Sequence, residues 1–340
     1  MISSATLKNF GPLEDIMWDD LAAINLVIGK NGKGKTFLLK ALYAAIKSIE
    51  QNYRGDDNKN LSEILSDKFY WTFQAEKIGD IVRKPGKGQL EFSMAGNGHK
   101  LYFSFGQDTT KKIMIKSGDD WKEPNTNSIF IPAKEVISLQ KIILKSREQD
   151  SVFGFDDTYY DLAKALRIET TKEKNILAFA QSRQKLQDFL GGKVEFDPEK
   201  DRWTFKKGSV RFPIGTTSEG TKKAAILDTL LGNRYLSQDS RIFIDEPEAA
   251  LHPNAVSELI DIITILAECG IQFFIATHSY FVIKKLLIVA LKNKLSIPVL
   301  SLSDDGVRYE NLRNGMPQNS IIDESVRLYE EEVGVALKWD

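Results

Sequence analysis

The sequence predicts an α/β fold with a mainly parallel core sheet, an antiparallel β subdomain and an inserted helical lobe. A glycine-rich loop, residues 29–36, lies between an apolar strand, residues 24–28, and a helix whose apolar residues recur at helical spacing. Two later apolar runs, residues 241–244 and 271–277, are followed directly by acidic residues or a histidine. Buried strands that alternate with helices are typical of a parallel sheet covered on both faces.

The glycine-rich loop matches the pattern G-x-x-x-x-G-K-[ST] without a mismatch. Glycines allow backbone N–H groups to turn toward phosphates, and the following helix adds its partial positive charge. A plain turn between a strand and a helix is the simpler alternative, but both flanks favour a P-loop NTPase that binds ATP and Mg²⁺. Lys35 would reach the β- and γ-phosphates, and Thr36 would ligate the metal. The predicted nucleotide-binding residues of this loop are Gly29, Lys30, Asn31, Gly32, Lys33, Gly34, Lys35 and Thr36.

Composition sets limits on the class of protein. The 340 residues are enough for a large core or two lobes, and the formal net charge of -1 argues against a surface that binds nucleic acid everywhere. A local basic patch remains compatible with it. The single cysteine, Cys269, excludes a disulfide framework. With neither a signal-peptide pattern nor a long uninterrupted apolar run, we expect a cytoplasmic protein without a membrane segment.

The chain is predicted to divide into three parts. Residues 1–133 form the first half of the ATPase domain, with the glycine loop and the antiparallel sheet. Residues 134–192 form the helical lobe, and residues 193–340 form the second half of the ATPase domain.

The antiparallel sheet is predicted for residues 68–116. Phe69, Trp71 and Phe73 alternate with other residues as in a strand, and residues 90–105 predict a hairpin around an Asn-Gly turn. In the lobe, residues 170–173 predict a capping box and Gly191-Gly192 the end of a helix.

Acidic residues and a histidine are predicted where the later strands end. The carboxyl ends of parallel strands meet at one edge of a sheet, so Asp245, Glu246 and His278 should converge on the glycine loop. Asp245 would hold Mg²⁺, Glu246 would polarise the attacking water, and His278 would hydrogen-bond the γ-phosphate. Taken singly, the acidic pair is also compatible with a turn at a strand end, and His278 with a structural histidine.

The order of these motifs resembles the ABC-type ATPase superfamily. The motifs are the glycine loop, a Ser-x-Gly at residues 218–220, Asp-Glu-Pro-Glu at 245–248 and Thr-His-Ser at 277–279. Within it, the chain is similar to the branch that includes SMC and RecF heads and the OLD-type ATPases. The segment from Asp245 to Pro253 is more similar to OLD-type and related prokaryotic defence ATPases, since His252 stands where SMC heads usually carry aspartate.

The resemblance implies roles for further residues. Ser218 and Gly220 would belong to the signature motif, which in the family completes the nucleotide site of the opposite subunit, so a homodimer or higher oligomer is implied. Glu219 replaces the usual glycine of that motif. The family's glutamine at the junction to the helical lobe is absent, and residues 130–135 take its place. Residues 8–10 are a candidate adenine contact, although Phe10 fits core packing equally well.

The function predicted on these grounds is an ATPase whose dimer closes on ATP and controls a partner. Residues 280–340 are too few for an appended nuclease domain, and Asp304-Asp305 predicts a turn. The effector, a nuclease or toxin, would then be a separate chain, as in prokaryotic anti-phage defence. A transporter ATPase is disfavoured by the missing glutamine.

The alternative is an SMC- or RecF-like ATPase of DNA repair or recombination, with DNA as a candidate partner. Its basic patch would draw on scattered lysines and arginines, for which a solvated face is the simpler interpretation. These residues are Arg83, Lys84, Lys87, Lys141, Lys145 and Arg147.

Overall fold

The computed structural model describes residues 1–54, 59–84, 88–169 and 177–337. The predicted capping box at residues 170–173 and Lys87 lie outside these ranges. The strands are β1 (Ile2–Lys8), β2 (Ile16–Trp18), β3 (Ile24–Gly29), β4 (Leu90–Gly96), β5 (His99–Phe105), β6 (Met114–Ser117), β7 (Ile129–Ile131), β8 (Lys193–Asp197), β9 (Arg202–Lys207), β10 (Val210–Pro213), β11 (Arg241–Asp245), β12 (Gln272–Thr277), β13 (Pro298–Ser303) and β14 (Gly306–Asn311). The helices are α1 (Lys35–Gln51), α2 (Leu61–Phe73), α3 (Gln140–Glu148), α4 (Asp157–Leu166), α5 (Leu177–Leu190), α6 (Glu219–Gly232), α7 (Pro253–Glu268), α8 (Tyr280–Asn293) and α9 (Ser320–Ala336).

The core sheet has the strand order β14-β13-β3-β12-β11-β7. Its strands are parallel except β14, which pairs antiparallel with β13. Every residue of β3, β11 and β12 is buried. Successive side chains point to opposite faces, so Leu26 packs into one apolar layer and its neighbour Val27 into the other. The predicted mainly parallel sheet, covered on both faces, is confirmed.

A second, antiparallel sheet has the order β2-β1-β4-β5-β6 and shares an apolar layer with α1. The hairpin predicted for residues 90–105 is β4 and β5, paired from Leu90 opposite Phe105 to Gly96 opposite His99. The strand predicted at the start of this region is wrong, because residues 61–73 form helix α2.

The sequence of α2 explains the error. Three alternating aromatic residues, Phe69, Trp71 and Phe73, are too short a pattern to distinguish a strand from a helix. Asn60 caps the helix through the backbone N–H of Glu63, whose carboxylate accepts from the Asn60 N–H in return. The buried face repeats at Leu61, Leu65 and Phe69, which is helical spacing.

The helical lobe packs against the core sheet and carries a small sheet of order β10-β9-β8. The predicted end of α5 is confirmed, since the helix stops at Leu190 and Gly191 has a positive φ of 60°. Trp203 of β9 donates to the side chain of Gln140 at 2.7 Å, which joins the small sheet to α3.

A buried ionic cluster fastens α1 to the core sheet. The fully buried Glu50 carboxylate accepts from the ammonium of Lys47 at 3.1 Å and from the backbone N–H of Ser128, just before β7, at 2.9 Å. Burial alone would lower the pKa of Lys47, but Tyr235 and Glu50 hold it above its ordinary value. Helix α1 therefore keeps a fixed position behind the glycine loop.

This cluster yields a stability prediction. Glu50→Ala should lower the free energy of unfolding by about 3–5 kcal/mol, because it leaves the Lys47 charge buried without its carboxylate. Glu91→Ala is the control: Glu91 forms an exposed pair with Lys8 at 3.5 Å, and its loss should cost less than about 1 kcal/mol. Urea unfolding of both variants measures the difference. Equal losses would contradict the role of the cluster.

Candidate functional site

The glycine loop joins β3 to α1 at the carboxyl edge of the core sheet. Gly32 and Gly34 have positive φ values of 79° and 87°, which other residues adopt only with strain. Gly34 is the N-cap of α1 and provides no side chain to cap the helix. The N–H groups at the start of α1 therefore face the loop, as an anion site requires.

Lys35 is nearly buried and crosses the loop. Its ammonium donates to the carbonyl oxygens of Gly29 at 2.7 Å and Lys30 at 3.0 Å. Burial lowers the pKa of Lys35, and the nearby Glu246 and Asp245 oppose that shift. The ammonium is thus held by weak neutral acceptors that a phosphate oxygen can replace.

The other two lysines of the loop point to the β13–β14 hairpin. Lys30 pairs with Asp304 at 3.2 Å, and Lys33 pairs with the same carboxylate. Asp304 lies at the turn predicted for Asp304-Asp305, so this acidic residue contacts the glycine loop.

Thr36 and Asp245 meet as predicted for a metal site. The Thr36 hydroxyl donates to Asp245 Oδ2 at 2.8 Å, while the buried Oδ1 has no hydrogen-bond partner among the described residues. Burial raises the pKa of Asp245 despite the hydrogen bond from Thr36. The described residues contain no cluster of three or more His, Cys, Asp or Glu side chains that would hold a metal alone. A hydroxyl and one carboxylate fit Mg²⁺, which commonly takes its remaining ligands from phosphates and water.

Glu246 and His278 also lie together. His278 Nδ1 is 3.1 Å from Glu246 Oε1, and both side chains are partly exposed. The backbone of Glu246 has a positive φ of 49°, and its N–H donates to the carbonyl of Ala276 on β12 at 2.8 Å. The end of β11 is therefore tied to the end of β12, where the histidine follows.

Two charged residues beside this pair were given no role by sequence analysis. Glu248 Oε1 accepts from the Thr277 hydroxyl at 2.6 Å and lies 3.7 Å from His278 Nδ1. Lys223 of α6 donates to the carbonyl oxygen of Glu246 at 2.7 Å. Burial lowers the pKa of Lys223 to about 8, although Glu248 opposes the shift. The acidic motif contains Glu248, and Lys223 follows the Ser-x-Gly closely, but neither pattern indicates these contacts.

A cavity of about 530 Å³ opens beside the loop. Residues from α2 and from the cap of α4 complete its wall, which sequence analysis did not anticipate. Lys40 pairs with Asp156, the N-cap of α4, at 2.6 Å. The rings of Phe37 and Phe73 lie 4.6 Å apart. The lining residues are Asn31, Gly32, Gly34, Lys35, Thr36, Phe37, Lys40, Thr72, Phe73, Gln74, Asp156 and Glu246.

Ser218 and Gly220 occupy the start of α6 and are not among the described residues that line this cavity. Ser218 caps the helix by accepting from the Thr221 N–H at 3.2 Å. A Cβ on Gly220 would lie 2.5 Å from the side chain of Leu251. Phe10 is fully buried among aromatic rings, so it belongs to the core.

The basic residues considered for a DNA patch mostly have partners. Lys84, Lys141 and Arg147 each form an ion pair with an aspartate. Arg83 donates to a backbone carbonyl at 3.2 Å. Arg83 and Lys84 precede β4, whereas Lys141, Lys145 and Arg147 lie on α3. The fold therefore distributes these basic residues over separate elements.

Comparison with known proteins identifies the family. Residues 24–284 match the model of the family described as "AAA domain, putative AbiEii toxin, Type IV TA system". The chain belongs to this family. The match includes the glycine loop and the Asp245, Glu246 and His278 positions.

A curated relative agrees with this assignment. The DNA replication and repair protein RecF of Oenococcus oeni (strain ATCC BAA-331 / PSU-1) is 31% identical over 101 residues, which is 30% of this chain and 25% of RecF. The chain thus spans a quarter of the length of the curated relative it matches.

Two solved structures show the fold. An SMC head bound to the C-terminal winged-helix domain of ScpA has a TM-score of 0.56 and 15% identity, covering 91% of this chain and 97% of that one. An SMC head with an extended coiled coil, bound to the C-terminal domain of ScpA derived from Pyrococcus furiosus, has a TM-score of 0.53 and 13% identity, covering 96% and 99%. Together with the family match, these likenesses confirm the predicted resemblance to the ABC-type ATPase superfamily, in its SMC- and RecF-like branch. No helix in the described ranges is long and apolar enough to cross a membrane.

The first residue of the loop offers a test of its geometry. Gly29 has a φ of 152°, and a Cβ there would lie 2.3 Å from the carbonyl oxygen of Leu302 on β13. Gly29→Ala should therefore lower the free energy of unfolding by at least about 2 kcal/mol, through strain and overpacking. Gly32→Ala is the control: its φ is 79°, but a Cβ there would meet no atom of the described residues within 4 Å, so the change should cost about 1 kcal/mol. Equal losses in urea unfolding would contradict the steric explanation.

Proposed function

We propose that the protein binds and hydrolyses ATP at this site. The observation that carries the proposal is the 3.1 Å approach of His278 to Glu246, beside the Thr36–Asp245 hydrogen bond and the glycine loop. Phosphoryl transfer requires that the reacting groups be positioned and that charge on the transferred phosphoryl group be stabilised. One edge of the sheet here combines a carboxylate, an imidazole and a pair of side chains that fits a metal ion. The family assignment supports the same chemistry.

The residues divide the work by chemistry. The loop N–H groups, from Gly29 to Thr36, and the Lys35 ammonium bind the phosphates. Thr36 and Asp245 would hold Mg²⁺, which would supply neutralisation of charge on the phosphates. The Glu246 carboxylate accepts a proton from water as the water oxygen attacks the γ-phosphorus. The bond from the γ-phosphorus to its bridging oxygen breaks, ADP leaves, and His278 donates a hydrogen bond to a γ-phosphate oxygen.

A nucleotide-dependent dimer, or a higher oligomer built from it, is the second part of the proposal. Ser218 and Gly220 lie at a helix start but do not line the cavity of their own chain. The superfamily resemblance supports a role for them at the nucleotide of a second copy. The exposed Ser218 hydroxyl and the N–H groups of α6 suit a phosphate that arrives from outside.

The biological role that we propose is control of a separate effector in the prokaryotic cytoplasm. The family description names a toxin and a type IV toxin–antitoxin system, which supports a place in defence against phage. We propose that the effector, a nuclease or toxin, is a different chain that responds to opening and closing of the ATPase dimer. A DNA clamp is not the better supported alternative, because Lys84, Lys141 and Arg147 each pair with an aspartate.

Replacement of the general base tests the catalytic proposal. Glu246→Gln keeps the size of the side chain and removes its charge, so kcat should fall about 10²–10⁴-fold while ATP still binds. That loss corresponds to roughly 3–5 kcal/mol of barrier. Phosphate release and fluorescent-nucleotide titration measure the two quantities. Glu258→Gln, an exposed acid on α7, is the control and should match the wild type. An unchanged kcat in Glu246→Gln would refute the assignment.

Arrest of hydrolysis should also trap the dimer. When ATP and Mg²⁺ are added, the Glu246→Gln protein is expected to change from monomer to dimer, or to a multiple of dimers, with a corresponding increase in mass. A further Ser218→Arg change should prevent this, because a bulky cation blocks approach to the start of α6. Ser117→Arg, on exposed β6, is the control for added charge. Light scattering after size exclusion measures the mass. Energy transfer between probes on α6 detects a dimer that ATP rearranges without a change in mass, and no response in either measurement would refute the dimer.

A further inference from the structure

Lys223 occupies an unusual place for a lysine. Only 5% of it is exposed, and its ammonium donates to the backbone carbonyl of Glu246 at 2.7 Å. Asp245, Glu246 and Glu248 all lie near enough to act on its charge. A buried charge of this kind is costly and needs a strong partner. The partner of the Lys223 ammonium is a backbone carbonyl in the turn that carries Glu246.

That turn needs support because Glu246 has a strained backbone. A positive φ of 49° costs free energy in a residue with a side chain. Three hydrogen bonds hold the residue: its N–H donates to the Ala276 carbonyl at 2.8 Å, and its own carbonyl accepts from the Lys223 ammonium at 2.7 Å and from the Ala249 N–H at 3.0 Å. The hydrogen bond from Lys223 is charge-assisted, and Lys223 belongs to helix α6. The orientation of the Glu246 backbone therefore depends on the position of α6.

We propose that Lys223 is a positioning residue that couples helix α6 to the general base Glu246 within one subunit. The inference rests on the function proposed above. Helix α6 begins beside Ser218 and carries Gly220, the residues assigned to the nucleotide of the second copy. A shift of α6 as those residues engage would move the Lys223 ammonium and, with it, the Glu246 carbonyl. Each subunit would thereby adjust its own base to the contact that its α6 makes across the dimer.

The central test separates catalysis from binding. Lys223→Met preserves the length and apolar stem of the side chain but removes the donor. The kcat for ATP should fall about 10–100-fold, the usual effect of losing an outer-shell support or of a small misplacement of a catalytic group. The KM should stay within about threefold, since Lys223 does not contact the phosphate site. Lys223→Arg should recover most of the kcat, because its guanidinium can donate to the same carbonyl.

Two comparisons exclude a merely structural role. Lys285→Met removes a partly buried lysine that pairs with Asp261 at 2.8 Å, far along the chain from α6, and should keep the wild-type kcat. In the Glu246→Gln background, Lys223→Met should lower the residual rate no further, because a residue that acts through Glu246 has nothing left to position. An additive loss in the double variant would overturn the inference.

The remaining outcomes are equally decisive. No ATP hydrolysis by the wild type would refute the proposed function itself. Hydrolysis by the wild type with an unchanged kcat in Lys223→Met would refute the inference alone. So would a raised KM at constant kcat, which would assign Lys223 to binding. If Lys223→Met does not fold, Lys223→Gln, whose shorter side chain keeps the carbonyl out of reach, must show the same loss of kcat.

Discussion

The parallel register of β3, β12 and β11 is the constraint on which the site depends. Asp245 lies opposite Ala276, and Thr277 lies opposite Ile28, so the three strands end in step beside the glycine loop. Side chains alternate between the faces of a sheet, so a slip of one residue in β11 would turn Asp245 away from Thr36. Because the strands are buried on both faces, such a slip would also move each apolar side chain of β11 from its own apolar layer into the opposite one. The apolar core therefore fixes the position of the polar site.

The charges of the site are arranged so that the carboxylates remain available. Lys35 and Lys223 both donate to backbone carbonyls and not to the acids nearby. One buried oxygen of Asp245 and one of Glu248 therefore have no hydrogen-bond partner in the part of the chain that the structure describes. Unsatisfied buried acceptors are costly. On the proposed function, a metal ion held by Thr36 and Asp245 would satisfy the free oxygen of Asp245.

The sequence predicted the parts of the site that depend on local pattern. The glycine loop and the acidic end of β11 follow from spacing and residue type, and the structure places both at the predicted edge of the sheet. Helix α2 was missed because a short aromatic alternation outweighed the cap at Asn60. The contacts of Lys223 and Glu248 could not be predicted, because they depend on how α6 packs against a turn distant in sequence. The Lys40–Asp156 pair has the same origin, since it joins α1 to the cap of α4.

Two departures from the superfamily pattern meet in the structure. Glu219 replaces a glycine in the Ser-x-Gly motif, and Glu135 lies in the segment where the family carries glutamine. Lys222 pairs with both, at 2.7 Å and 3.4 Å, although these carboxylates come from distant parts of the chain. A carboxylate at the start of α6 would otherwise repel a phosphate, and its pairing with Lys222 reduces that repulsion. The same lysine links α6 to the junction of the helical lobe, a link that a neutral glutamine would not make with comparable strength. Glu219, Glu135 and Lys222 thus form one ion-pair cluster between the start of α6 and the junction of the helical lobe.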